Sequence, residues 1–211
     1  MSTGVTLTLV SVAVLLLAEY NGWTRLRWFS KPLASTGFLI AAVEWGATES
    51  TYGLAVLIAL ILGWLGDVLL LPSNKTIFLA GIIAFFLGHL VYAVGFAVLG
   101  LSWPLTLATG CVIGTTSALI GWRLLPQVPT KLKGPVIAYI IVLTAMVAMA
   151  VGAAVQHQNA LLLVGSVAFL LSDMAVARHR FVTKHWINKL IGGPLYFGGQ
   201  LMLASTVTLT I

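Results

Sequence analysis

Eight apolar stretches, all but the second near the length of a membrane-crossing helix, follow one another from Val5 to Leu209 and leave little else in the chain. They run Val5–Tyr20, Pro32–Val43, Tyr52–Leu71, Ile77–Leu99, Trp103–Trp122, Pro135–Val155, Ala160–Ala177 and Ile187–Leu209. The second is the shortest and is closed by Glu44. The stretches are long and lack strict polar alternation, which predicts helices and not barrel strands. Glycine and alanine recur within them, as in Gly110, Gly114 and Ala118, and small residues suit close helix packing. A span needs roughly 20 residues, so eight use about 160 and leave too little for a second, soluble domain. The expected fold is all-α: residues 1–211 form a single bundle of eight transmembrane helices. Only 8% of the residues are charged, against about a quarter in soluble domains, which excludes a water-soluble fold.

The few charges orient the bundle. Eleven Lys and Arg outweigh five Asp and Glu. In a soluble protein that excess would point to nucleic acid; here it follows the connections between spans, so no nucleic-acid partner is expected. Arg25, Arg27 and Lys31 fall between spans one and two, and Lys75 between three and four. Arg123, Lys131 and Lys133 fall between five and six, and Arg178, Arg180 and Lys184 between seven and eight, with Lys189 just inside the last span. All eleven lie on one side, which by the positive-inside rule is cytoplasmic and puts both termini on the opposite face. The basic residues of the first segment follow its apolar stretch, so it reads as a span and not as a cleaved leader. The single Cys111 excludes an intrachain disulfide.

Among the acids, Glu19, Glu44 and Glu49 lie near span ends, within reach of water. Asp67 and Asp173 lie one turn inside the cytoplasmic ends of spans three and seven, at equal depth in helices of the same direction. An Asp at the centre of a membrane helix costs about 2.5–3.5 kcal/mol, less near the interface, and normally faces the bundle interior. Two at one depth predict a shared polar cavity. Lys31, Asn188 and Lys189 reach a similar depth, Tyr196 and Gln200 lie one turn apart farther along span eight, and His89 and Tyr92 share a face of span four. The four histidines show no close metal-ligand spacing, so neither metal nor cofactor is expected.

The segments Lys31-Pro32-Leu33, Leu65-Gly66-Asp67, Phe85-Phe86-Leu87-Gly88-His89-Leu90-Val91-Tyr92, Ser172-Asp173 and Tyr196-Phe197-Gly198-Gly199-Gln200 together resemble the YhhN family of lysoplasmalogenases, in the family's order. The resemblance implies hydrolysis of the vinyl ether bond of a lysoplasmalogen to a fatty aldehyde and glycerophosphoethanolamine or glycerophosphocholine, with Asp67 and Asp173 as the catalytic pair. Such a bond breaks by protonation of its β-carbon, capture of the resulting oxocarbenium ion by water, and collapse of the hemiacetal. A carboxyl in an apolar cavity beside a second carboxylate keeps its proton more firmly than in water, and the second can take the proton of the attacking water. The sequence does not divide these roles; the more apolar neighbours of Asp67 favour it as the acid. Lys31 and Lys189 are candidates to hold the substrate phosphate, and His89, Tyr92, Asn188, Tyr196 and Gln200 to line the cavity. Expected partners are the lysophospholipid and surrounding lipid, with no soluble protein partner. The expected location is the inner membrane of a bacterium, with the site toward the cytoplasm. The residues alone leave open a proton-coupled transporter using the same Asp pair, a metal-dependent lipid hydrolase, and a lipid-sensing protein without chemistry.

Overall fold

A computed structural model describes residues 2–72 and 74–210. The described residues form eight helices: α1 (Thr3–Asn21), α2 (Thr24–Glu44), α3 (Thr51–Leu69), α4 (Lys75–Leu99), α5 (Trp103–Leu124), α6 (Thr130–Gln156), α7 (Ala160–Phe181) and α8 (Trp186–Ser205). Their starts follow capping chemistry. Ser2, Ser50, Asn74 and Asn159 each accept a bond from the first turn of the helix that follows, satisfying donors that have no partner inside the helix.

Each predicted stretch corresponds to one helix, with revised limits. Six helices, α1 and α3 to α7, are long and apolar enough to cross a membrane. The other two, α2 and α8, are of similar length but more polar, because α2 takes in Arg25, Arg27 and Lys31 and α8 carries Asn188, Lys189 and Gln200. The sequence placed Arg25, Arg27 and Lys31 in a connection and opened the second span at Pro32; the helix instead begins at Thr24 and runs through Pro32. Arg178 and Arg180 likewise belong to the last turn of α7.

Consecutive helices pack as hairpins, α1 on α2, α3 on α4, α5 on α6 and α7 on α8. The two polar helices sit inward: α8 touches α1, α2, α3 and α7, and α2 touches α1, α3 and α8. By contrast α5 packs chiefly on α6 and buries only Thr106 and Gly121. Large apolar side chains such as Leu107, Ile141 and Val94 stand exposed on outer faces, as lipid-facing residues do. Trp23, Trp28, Trp103 and Trp122 are also exposed near helix ends, where interfacial anchors belong. Trp64, the one tryptophan inside a predicted span, donates its indole N–H to Thr36 Oγ1 at 3.1 Å.

Both chain ends meet the same end of the bundle. Ser2 donates to the Glu44 carboxylate at the end of α2, and Ser50 and Thr210 share a hydrogen bond of 2.6 Å. His157 ties two connections together by bonding the Gly100 carbonyl at 3.1 Å.

The backbones of α1 and α2 approach closely at Gly4 and Gly37. A Cβ on Gly37 would lie 2.6 Å from the Thr8 backbone nitrogen and 2.8 Å from the Gly4 carbonyl oxygen. Gly37→Ala should therefore destabilise the protein by about 1–3 kcal/mol, the usual penalty of overpacking. Thermal unfolding in detergent checks this; an unchanged midpoint would mean that the two helices are not in contact.

Candidate functional site

Two polar clusters lie side by side, the first buried and the second part-buried. The first is centred on Asp67, which is 1% exposed. Lys31 Nζ stands 3.1 Å from its Oδ1, and Oδ2 accepts from the Tyr196 hydroxyl at 2.8 Å and from the Ser35 hydroxyl. Lys31 and Ser35 are one turn apart on α2, so one helix face supplies both donors. The cluster continues along α8: Gln200 accepts from Tyr92 of α4 at 2.6 Å. Gly63 makes room for it, since a Cβ there would lie 2.9 Å from Gln200 Nε2 and 3.2 Å from Tyr196 Oη.

The second cluster joins α4, α6 and α7. Tyr139 donates to Asp173 Oδ2 at 2.8 Å, and His89 Nε2 lies 3.1 Å from that oxygen and 2.9 Å from the Tyr139 hydroxyl. Among the described residues no side chain bonds Asp173 Oδ1. The preceding Ser172 donates to the Gly192 carbonyl at 2.9 Å and fixes α7 against α8. His89 is enclosed by aromatic edges, its ring centroid 4.7 Å from that of Phe169 and 5.1 Å from that of Tyr139.

Asp173 and Tyr139 open onto a cavity of about 1110 Å³ between α4, α5, α6, α7 and the start of α8. That is slightly beyond the roughly 300–1,000 Å³ of ordinary small-molecule sites. Its lining is mostly apolar, and the basic groups on it are Arg123, Arg178 and Arg180. Asn188 also faces it, with its amide held by the Thr183 carbonyl at 2.9 Å.

The expected shared cavity is thus divided. Asp173 lines it and Asp67 does not. Between them stands a wall of rings, with Tyr196 at 5.8 Å from Phe85 and 5.4 Å from Phe169. Gly66 lets Phe85 lie flat against α3, where a Cβ would come within 2.5 Å of its ring. The two lysines assigned to substrate phosphate are also placed elsewhere. Lys31 is committed to Asp67, and Lys189 bonds Glu19 Oε2 at 2.6 Å near a small surface pocket. His89 falls in the Asp173 cluster, whereas Tyr92, Tyr196 and Gln200 fall with Asp67.

Sequence reasoning missed Tyr139, Ser35 and the three arginines. Tyr139 lies four residues beyond Pro135, the predicted start of span six. The helix begins earlier, at Thr130, which carries it deeper. Ser35 did leave a signal, one turn beyond Lys31. Among the described residues no three of His, Cys, Asp and Glu gather as a metal site would require.

These features define a polytopic helical membrane protein with a part-buried carboxylate–histidine–tyrosine cluster beside an apolar cavity. The chain belongs to the YhhN family, whose sequence profile matches residues 26–207. It is 29% identical over 200 residues to proteins named uncharacterized membrane protein YhhN in Escherichia coli O6:H1, Escherichia coli O157:H7 and Shigella flexneri. Each match covers 91% of this chain and 92% of the relative. No solved structure matches the chain.

Proposed function

We propose that this protein is a membrane-embedded lysoplasmalogenase that cleaves the vinyl ether bond of a single-tailed phospholipid from the cavity bounded by α4 to α8. The observation that carries the reading is Asp173. It is a carboxyl fixed through one oxygen by Tyr139 and His89, with its other oxygen unbonded, on the wall of an apolar cavity large enough for a lipid tail. In this reading all eight helices cross a bacterial inner membrane, both termini lie outside, and the site opens toward the cytoplasm. The placement of the basic residues at one end and of both chain ends at the other supports that topology.

The chemistry follows from the geometry. With its proton on Oδ1, Asp173 donates to the β-carbon of the vinyl ether, and positive charge develops on the α-carbon and ether oxygen. The carboxylate left behind stabilises that cation, then takes a proton from the water that adds to it. Collapse of the hemiacetal releases aldehyde and alcohol and returns the site to its starting state, with one water consumed. Tyr139 and His89 hold Oδ2 so that Oδ1 faces the substrate. Asp67 has donors on both oxygens and stands behind the ring wall. Its part is to position Tyr196, and through that ring the wall of the cavity.

Purified protein should release fatty aldehyde from 1-alkenyl-glycerophosphoethanolamine and nothing from its 1-alkyl analogue, whose saturated ether has no carbon to protonate. Release from neither, by protein that unfolds cooperatively, would contradict the reading. Uptake of solute without chemical change would move it to the transporter class.

A further inference from the structure

The three arginines of the cavity have no acidic partner among the described residues; the ion pairs there use Arg27, Lys31, His89 and Lys189. All three are exposed and line one apolar cavity, which leaves their donors available to an anion. Arg180 is also held in place, its guanidinium 4.1 Å from the centre of the Phe78 ring. A guanidinium stacked on a ring keeps its edge donors free for a phosphate.

The spacing along α7 gives these groups a definite relation to Asp173. Arg180 lies seven residues beyond it, two turns along the same helix face and about 10.5 Å in rise. Phe78, on which that guanidinium stacks, lies eleven residues before His89 on α4, about 16 Å in rise, so Arg180 stands toward the end of the cavity away from Asp173. In a 1-alkenyl glycerophospholipid the β-carbon and the phosphorus are separated by seven bonds, about 8 Å when extended. With one contact at each end, that length is of the same order as the separation along α7.

We infer that Arg180, with Arg178 beside it and Arg123 across the cavity on α5, is a phosphate-binding rim that sets how deep a single-tailed phospholipid enters, and so brings its ether linkage to Asp173. This rests on the cavity being the substrate site, and it moves the headgroup contact away from Lys31 and Lys189. The rim reads the phosphodiester, which ethanolamine and choline lipids share, and ignores what lies beyond it.

The test uses ligands that cannot be cleaved, so it does not depend on turnover. Binding of 1-alkyl-glycerophosphoethanolamine and of 1-alkyl-glycerol, which lacks the phosphate, is measured on purified full-length protein in detergent. Wild type should prefer the phosphate-bearing lipid by tenfold or more, and Arg180→Gln should remove most of that preference while leaving 1-alkyl-glycerol binding unchanged. Arg180→Lys, which keeps the charge and loses the fork, should fall between. Arg123→Gln gives the same comparison at a second position if Arg180→Gln does not fold. An unchanged preference in Arg180→Gln and Arg123→Gln would overturn the rim. Full displacement of the lipid by millimolar inorganic phosphate would also overturn it, because the site would then take a free anion and measure no depth. A retained phosphate preference in protein that releases no aldehyde would sink the hydrolase and leave the rim standing.

Discussion

Asp173→Asn is expected to lower aldehyde release by two orders of magnitude or more, with little change in lipid binding. The substitution preserves shape and keeps an oxygen for the Tyr139 hydroxyl, which lies 2.8 Å from the native carboxylate. It removes the transferable proton, and a positioned acid contributes about 10²–10⁴ in rate. Turnover should fall while KM stays within a few-fold, because the amide still fills the same place on the cavity wall. Steady-state kinetics in detergent separate these terms. A loss confined to KM would make Asp173 a binding group and leave the proton donor elsewhere. His89→Gln and Tyr139→Phe should each fall less than Asp173→Asn, since either leaves one donor on Oδ2.

The largest stability effect is expected at Lys31. It is the one basic residue beside Asp67, whose side chain is almost wholly enclosed while that of Lys31 is about one-fifth exposed. Removing one partner of a buried pair costs about 3–5 kcal/mol because the remaining charge is uncompensated. The partial exposure of Lys31 puts Lys31→Met toward the lower figure. Adding Asp67→Asn should recover much of that loss, since the isolated charge is then gone and the amide can still accept from Tyr196. Thermal unfolding of the single and double variants measures the coupling. If the double variant is no more stable than Lys31→Met, the loss comes from something other than an orphaned carboxylate.

The fold was legible in the chain because hydropathy reports directly on what a bilayer requires. Each apolar stretch became a helix, and the two that are more polar lie inward, where they carry the Asp67 cluster. The limits shifted where charge and helix propensity conflict. Arginine and lysine mark a membrane boundary in sequence, yet they continue a helix readily, so α2 and α7 include residues that read as connections. Asp67, Asp173, His89, Tyr92, Tyr196 and Gln200 announced themselves as polar groups at apolar depth. How they divide did not, because depth along a helix is written in sequence while rotation about its axis is weakly written when both faces are apolar. Two aspartates at one level therefore read as a pair, although the rings of Phe85, Phe169 and Tyr196 stand between them. The same ambiguity hid which cations are neutralised. Lys189 meets Glu19 across 170 positions of sequence, a contact that only the packing of α1 on α8 creates.

Hydrolysis of 1-alkenyl-glycerophosphoethanolamine in D₂O reports whether this site protonates the carbon of a vinyl ether. Carbon protonation yields an aldehyde carrying one deuterium on the carbon next to the carbonyl, formed more slowly than in H₂O because proton transfer to carbon limits the rate. Aldehyde without that deuterium, or a rate indifferent to the solvent isotope, would contradict it.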